Sequence, residues 1–258
     1  MNFDQVLPRV LEALARVEAE RDIRVLHACE SGSRAWGFAS RDSDFDVRFI
    51  YVHQRDWYLS VEDRRDVIEL PIADDLDVSG WELRKALRLL RKSNPPLLEW
   101  LKSPIVYRHD SAFTADFGAL AAGFYSPRRC FAHYLRMAFG NWRDYLRGRE
   151  QVSLKKYLYV FRPLLGCRWI ERQLGPVPML FSDLVEAVLE ESDVRLALDQ
   201  LVEQKRAGLE VAVAPPVDAL NRFIEAEIPR LEAIKEPEES AADVSELNRF
   251  FQRYISAS

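Results

Sequence analysis

The chain has no long apolar stretch. Its longest uncharged run, 117–127, is 11 residues, about half of what a bilayer-spanning helix needs. Its first residues, MNFDQVLPRVLEALARVEAERD, carry acids where a secretory leader would have a basic start and an uncharged core, so export is not expected and a cytoplasmic setting is. Cysteine is scarce: Cys29, Cys130 and Cys167 are odd in number, far apart and free of C-x-x-C spacing. That excludes a disulfide framework and the usual zinc or redox motifs and leaves three small core residues in a reducing compartment. The four histidines, His27, His53, His109 and His133, form no H-E-x-x-H pair, and neither a G-x-x-x-x-G-K-[ST] loop nor a G-x-G-x-x-G turn is present. Histidine-bound zinc, P-loop and Rossmann nucleotide binding are therefore disfavoured. With 10 glycines and 13 prolines in 258 residues, and no repeat or low-complexity tract, collagenous, solenoid and globally disordered states are out as well.

What is present is a globular composition, 48% apolar and 30% charged, with a net charge of −5 that is unevenly spread. Residues 1–127 hold 17 basic and 21 acidic side chains, 128–172 hold 11 and 3, and 173–258 hold 8 and 17. The middle is a basic island of +8, able to hold a polyphosphate or one RNA end, or simply two solvated helix faces.

Hydrophobic spacing gives the organisation. Leu7, Val10, Leu11, Leu14 and Val17 recur at helical intervals, with Asp4 as a candidate cap. IRVLHAC (23–29) reads as a strand broken at Glu30-Ser31-Gly32-Ser33, and DFDVRFIYV (44–52) as the next strand. Residues 67–70 and 76–78 are further strand candidates, and the segment from Trp81 is helical. Beyond Asn94-Pro95-Pro96 nearly everything has helical spacing, with turns at 175–178 and 215–216 and a loop at 237–242 before a last helix from Asp243. The expectation is an α+β fold: a mixed sheet with flanking helices over 1–110, then an all-helical domain over 111–258.

Asp44 and Asp46 stand two apart on a strand, so both carboxylates leave one face while Phe45 and Val47 enter the core. Paired acids repel unless a cation or solvent absorbs their charge, so metal binding competes with an ordinary exposed edge. Ten residues upstream, Gly32-Ser33 ends the preceding strand, where a glycine admits close approach of a ligand and a hydroxyl can hold phosphate oxygens. Asp77, flanked by Leu76 and Val78, is a third acid, with Asp74 and Asp75 as rivals and a turn cap as its alternative role. Three carboxylates around Mg²⁺ suit two-metal phosphoryl transfer.

Gly32-Ser33, ten residues, then Asp44-Phe45-Asp46-Val47 resembles the signature of the DNA polymerase β-type nucleotidyltransferase superfamily. Three blocks in order, ESGSRAWGFASRDSDFDVRFIYV, LDVSGWELRKALRLLRKSNPPLLEWLKSPIVY and KKYLYVFRPLLGCRWI, resemble a narrower branch, the YcgL-like, RNA-repair-pathway-associated (RlaP) family. The resemblance implies a polymerase β-like head with a helical domain behind it, transferring a nucleoside monophosphate from an NTP to a hydroxyl, with an RNA end as the expected acceptor. Gly32 and Ser33 would hold the triphosphate. Asp44, Asp46 and Asp77 would bind two Mg²⁺ or Mn²⁺ ions and Asp77 would accept the hydroxyl proton. Lys156 or its neighbour Lys155 would reach the triphosphate, and Tyr157 or Tyr159 would stack on the base. Arg34 and Arg41 are weaker phosphate contacts, either of which could instead pair with Asp42 or Glu30. An RNA ligase of the same pathway is an implied partner. Ser31 departs from the broad superfamily, which often has an apolar residue there, but suits the narrower branch. Two alternatives stay open: a protein or small-molecule acceptor, and a nucleotide-sensing module without catalysis. Trp36, Phe38 and Trp81 read as core aromatics before base-stacking ones.

Overall fold

The computed structural model describes residues 3–208, 213–234 and 243–256. The chain forms two compact units, Met1–Ala35, Ser43–Tyr125 and Ser240–Ser258 in the first, Trp36–Asp42 and Ser126–Glu239 in the second.

The first unit is built on a five-stranded mixed sheet: β1 (Ile23–Glu30), β2 (Phe45–His53), β3 (Val67–Glu69), β4 (Leu76–Glu82) and β5 (Val106–His109), in the order β3-β4-β2-β1-β5. β2 runs antiparallel to β1 and parallel to β4, and the two edge strands are antiparallel to their neighbours. Alternation along β2 sorts its side chains by face. Phe45, Val47, Phe49 and Tyr51 join Val6, Val10, Leu14 and Val17 of helix α1 (Phe3–Arg21) in one buried layer. Ile50 and Val52 enter the opposite layer with α4 (Leu83–Arg91), α5 (Pro95–Trp100), α6 (Ser111–Phe124) and the last helix, α12 (Val244–Ser256). Two single-turn helices, α2 (Gly32–Ala35) and α3 (Arg55–Tyr58), follow β1 and β2.

Local chemistry sets the helix starts. Glu82 ends β4 and accepts from Arg84 N and Lys85 N; Asn94, followed by Pro95, caps α5; Asp110 caps α6. Where β2 and β4 pair, Gly80 lies opposite Phe49, and a Cβ there would meet that ring at 2.3 Å.

The second unit contains α7 (Pro127–Tyr145), α8 (Lys155–Glu171), α9 (Phe181–Val188), α10 (Ser192–Arg206) and α11 (Asp218–Glu232), with a two-residue pairing of β6 (Val152–Ser153) and β7 (Val213–Ala214). Ser126 caps α7 at Arg129 N. Arg168 of α8 donates to both oxygens of Glu227 on α11 and of Glu191 just beyond α9, so one guanidinium ties three helices.

The fold is α+β with a mixed sheet and a helical remainder, as the spacing indicates. The division differs from one at residue 110: α6 and α12 lie in the sheet unit because Phe113, Phe117, Phe250 and Tyr254 are part of its core, and 36–42 lies in the helical unit, where Phe181 N donates to Trp36 O. β5 was hidden in a region of helical spacing. The Asp4 side chain and the loop at 237–242 lie outside the described residues. Cys29, Cys130 and Cys167 are buried and free of disulfides. Among the described residues no helix is long and apolar enough to cross a membrane.

Candidate active site

In the β2–β4 register Asp46 stands directly beside Asp77. Parallel partners at one register place their side chains on the same face, so the two carboxylates are neighbours. Asp74 and Asp75 instead occupy the turn before β4 with positive φ angles of 48° and 64°. Of the three candidate acids on this segment, Asp77 is therefore the one that accompanies Asp46.

The Gly-Ser corner is bound to the same point. Gly32 has φ +58°, and a Cβ on it would lie 2.0 Å from Asp46 Oδ2. Only a residue without a side chain fits both demands. Ser31 N donates to Asp46 O at 2.8 Å, while Asp46 N donates to Glu30 Oε1 at 2.9 Å, so β1 and its corner grip Asp46 by its backbone. The Ser33 side chain makes no hydrogen bond among the described residues, which leaves its hydroxyl available to an incoming oxygen.

Three residues outside the signature shape this site. Arg48, two beyond Asp46 on the same face of β2, donates to Asp46 Oδ1 and Asp77 Oδ2, both at 2.7 Å, and to Asp77 O at 2.8 Å. The alternation Asp44, Asp46, Arg48 already puts all three on one face; what it cannot show is that Arg48 also reaches the neighbouring strand. Glu30 is fully buried, accepts from the Tyr107 hydroxyl and has its carboxyl pushed up to about 7, chiefly by burial, with hydrogen bonds from Tyr107 and Asp46 N opposing and the Asp46 charge adding to it. Its position at the end of the apolar run 23–29, in phase with Ala28, was the available signal. Asp46 is likewise held above the usual carboxylate range by burial and by the charges of Asp77 and Asp44, with Arg48 and Arg34 opposing.

Asp44 is exposed at the mouth of β2, and its side chain has no hydrogen-bond or ion-pair partner among the described residues. Among those residues no three His, Cys, Asp or Glu groups are drawn together closely enough to close on one metal ion, and Arg48 bridges two of the acids. The donor set is nonetheless the hard-oxygen kind that Mg²⁺ and Mn²⁺ take, and Asp44 stands unengaged beside the pair.

The remaining expected residues are placed differently. Arg34 donates from Nε to Asp44 O at 3.1 Å and from its terminal nitrogen to Ser43 O, with its guanidinium 3.7 Å from the centre of the Phe45 ring. It braces the turn carrying Asp44. Lys155 and Lys156 open α8 in the second unit, and Lys156 Nζ lies 3.8 Å from the centre of the Tyr145 ring. Tyr157 corrects an expectation: it is fully buried, its hydroxyl donating to Asn221 Oδ1 at 2.6 Å and accepting from Val217 N, so it is a core residue and offers no face to a base. Phe38 is buried against Phe181, and Trp81 stacks on Trp100 at 3.8 Å; both are packing residues, as read.

Comparison with known proteins accords with this motif. Over 243 residues the chain is 48% identical to an uncharacterized protein, YcgL, of Bacillus subtilis (strain 168), covering 93% of both chains. A solved nucleotidyltransferase-like protein from Exiguobacterium sibiricum aligns over 94% of this chain and 91% of its own, with 17% identity and a TM-score of 0.30. The model of the RNA repair pathway DNA polymerase beta family matches residues 6–253. The chain belongs to that RNA repair pathway DNA polymerase beta family.

Proposed function

We propose that this protein transfers a nucleoside monophosphate from an NTP to a hydroxyl at an RNA end, with release of pyrophosphate. The observation that carries the reading is the seating of Gly32 directly against the Asp46 carboxylate, beside Asp77 across the β2–β4 pair. Phosphate donors and cation-binding acids are thereby adjacent, as nucleotidyl transfer requires.

Asp44, Asp46 and Asp77 are the residues that would hold two Mg²⁺ or Mn²⁺ ions. When bound, such ions neutralise the triphosphate, activate the attacking oxygen and stabilise the leaving pyrophosphate. Ser33 donates its hydroxyl to a phosphate oxygen, and glycine at 32 lets the triphosphate approach the backbone. Asp77 is the proposed acceptor of the proton from the attacking hydroxyl. Arg48, which pairs with Asp46 and Asp77, would be a counter-charge beside the phosphates if those acids held cations. Glu30 and Tyr107 keep Asp46 in register from behind. The three buried cysteines, none of them in a disulfide, support a reducing cytoplasm as the setting, and an RNA ligase of the same repair pathway is the proposed co-worker.

One observation favours a second reading. Arg48 pairs with both Asp46 and Asp77 at 2.7 Å and so would compete with a cation for them, which suits a module that senses a nucleotide and does not turn it over. Incubation with α-labelled NTPs, Mg²⁺ or Mn²⁺ and RNAs differing in their ends separates the two. Label on RNA, lost by at least about a hundredfold in Asp44→Asn and Asp46→Asn, is the expected result. Label on a protein or small molecule instead would move the acceptor, and tight NTP binding with no labelled product would favour the sensing module.

A further inference from the structure

Helix α7 carries a pattern of basic residues outside the site above. It buries Cys130, Phe131, Tyr134, Ala138 and Trp142. On the opposite side Arg129, His133, Arg136, Gly140 and Arg143, then Arg147 just past the last turn, follow one another at alternating intervals of four and three, the spacing that keeps positions on one helix face. All four arginines are exposed, and His133 and Gly140 are half-buried. Asp144 is the one acid of the helix and pairs with its neighbour Arg143 at 2.7 Å, a fully exposed contact of little strength.

Helix stability does not favour such a row. Like charges along a helix repel, and Arg128 and Arg129 sit in the first turn, where the helix dipole disfavours cations. Arg136 and Arg147 make no ion pair among the described residues. Gly140 lies within the helix at a helix-weakening position, yet a Cβ there would meet nothing within 4 Å. The glycine serves no internal close approach, but it leaves a smooth, open spot at the centre of the row.

We infer that this face is a track for the phosphodiester backbone of single-stranded RNA. From Arg129 to Arg143 it runs about 21 Å at 1.5 Å per residue, too long for one triphosphate and suited to several successive phosphates. Guanidinium groups match phosphate oxygens in pairs, so the row would hold the strand by its backbone without reading its sequence. The inference rests on the proposed function for its choice of RNA and deepens it by naming a surface of the second unit for that RNA.

The test is fluorescence anisotropy of a labelled 12-nucleotide RNA with the full chain, without NTP or metal, across a salt series. The triple variant Arg136→Gln, Arg143→Gln, Arg147→Gln should bind at least about tenfold more weakly at 100 mM salt, with a log–log salt slope shallower by about 2, or roughly 0.7 for each lost contact. The matching triple lysine variant should retain most of the binding. Gly140→Glu should weaken binding while raising the thermal midpoint, since it places an anion in the row and removes a helix-weakening glycine; that opposition separates binding from folding. Arg195→Gln, on exposed α10, should change nothing. RNA binding insensitive to the triple variant would overturn the track, as would preference for an acidic protein or for DNA over RNA. Because this readout needs no catalysis, RNA binding retained alongside absent nucleotidyl transfer would overturn the catalytic reading alone, and transfer to a non-RNA acceptor without RNA binding would overturn the track alone.

Discussion

At Gly32 and Gly80 the missing side chain does two different jobs, and the difference is measurable. Alanine at 80 would drive its Cβ into the Phe49 ring and should lower stability by about 1–3 kcal/mol through overpacking, leaving transfer per folded molecule intact. Alanine at 32 meets a strained φ of +58° and the Asp46 carboxylate together. It should lower stability by about 1–3 kcal/mol and abolish transfer as well; denaturant titration with activity per folded molecule checks both. Glu30 gives a pH signature. Its carboxyl is raised to about 7, chiefly by burial, so the folded state holds that proton where the unfolded chain has released it, and stability falls as pH rises from about 4.5 to about 7. Across that window the wild type should lose about 3 kcal/mol relative to Glu30→Gln, followed by urea unfolding at pH 4.5 and pH 7.5; a constant difference would contradict it. Asp44, Asp46, Gly32 and Ser33 were legible because alternation and short spacing fix their faces locally. The bridging reach of Arg48, the Glu30–Tyr107 pair and the burial of Tyr157 were not, because each depends on a partner distant in sequence.

Among the elements, the strands that carry the site declared themselves by β-branched and aromatic runs, and α4 by its apolar spacing. β5 did not: four residues with Val106 and His109 exposed, set after Pro104, form an edge strand whose only definition is its pairing with β1. The helices α6 and α12 were visible as helices, but nothing in their own spacing says which core takes their aromatic faces. In the second unit, the clamp of α8 on α11 is the feature to test. Burial works against the Glu227 charge, yet hydrogen bonds from Arg230 and Arg168 outweigh it and hold the carboxyl down to about 2. A depressed acid contributes stability above its unfolded pKa and loses it as pH falls through about 2. Glu227→Gln should therefore cost about 3 kcal/mol at pH 7, because it leaves Arg168 short of a buried partner, and the cost should shrink as pH falls toward 2. Thermal or urea unfolding at pH 7 and pH 3 measures this.

Over the whole molecule, charge and chemistry are divided between the units: the acids and the Gly-Ser corner in the first, the basic island with Lys155, Lys156 and the α7 row in the second. In a chain with a net charge of −5 the positive excess is thus confined to residues 128–172. The central claim is that Asp44, Asp46 and Asp77 form a cation-dependent nucleotidyl-transfer centre. It is tested most directly by a crystal structure with Mn²⁺ and a non-hydrolysable NTP, using the anomalous signal of manganese. The expected result is a peak at coordination distance from Asp46 and Asp77, with Arg48 displaced from both and the triphosphate on Ser33. A nucleotide bound with Arg48 still bridging the two acids and no manganese between them would contradict it.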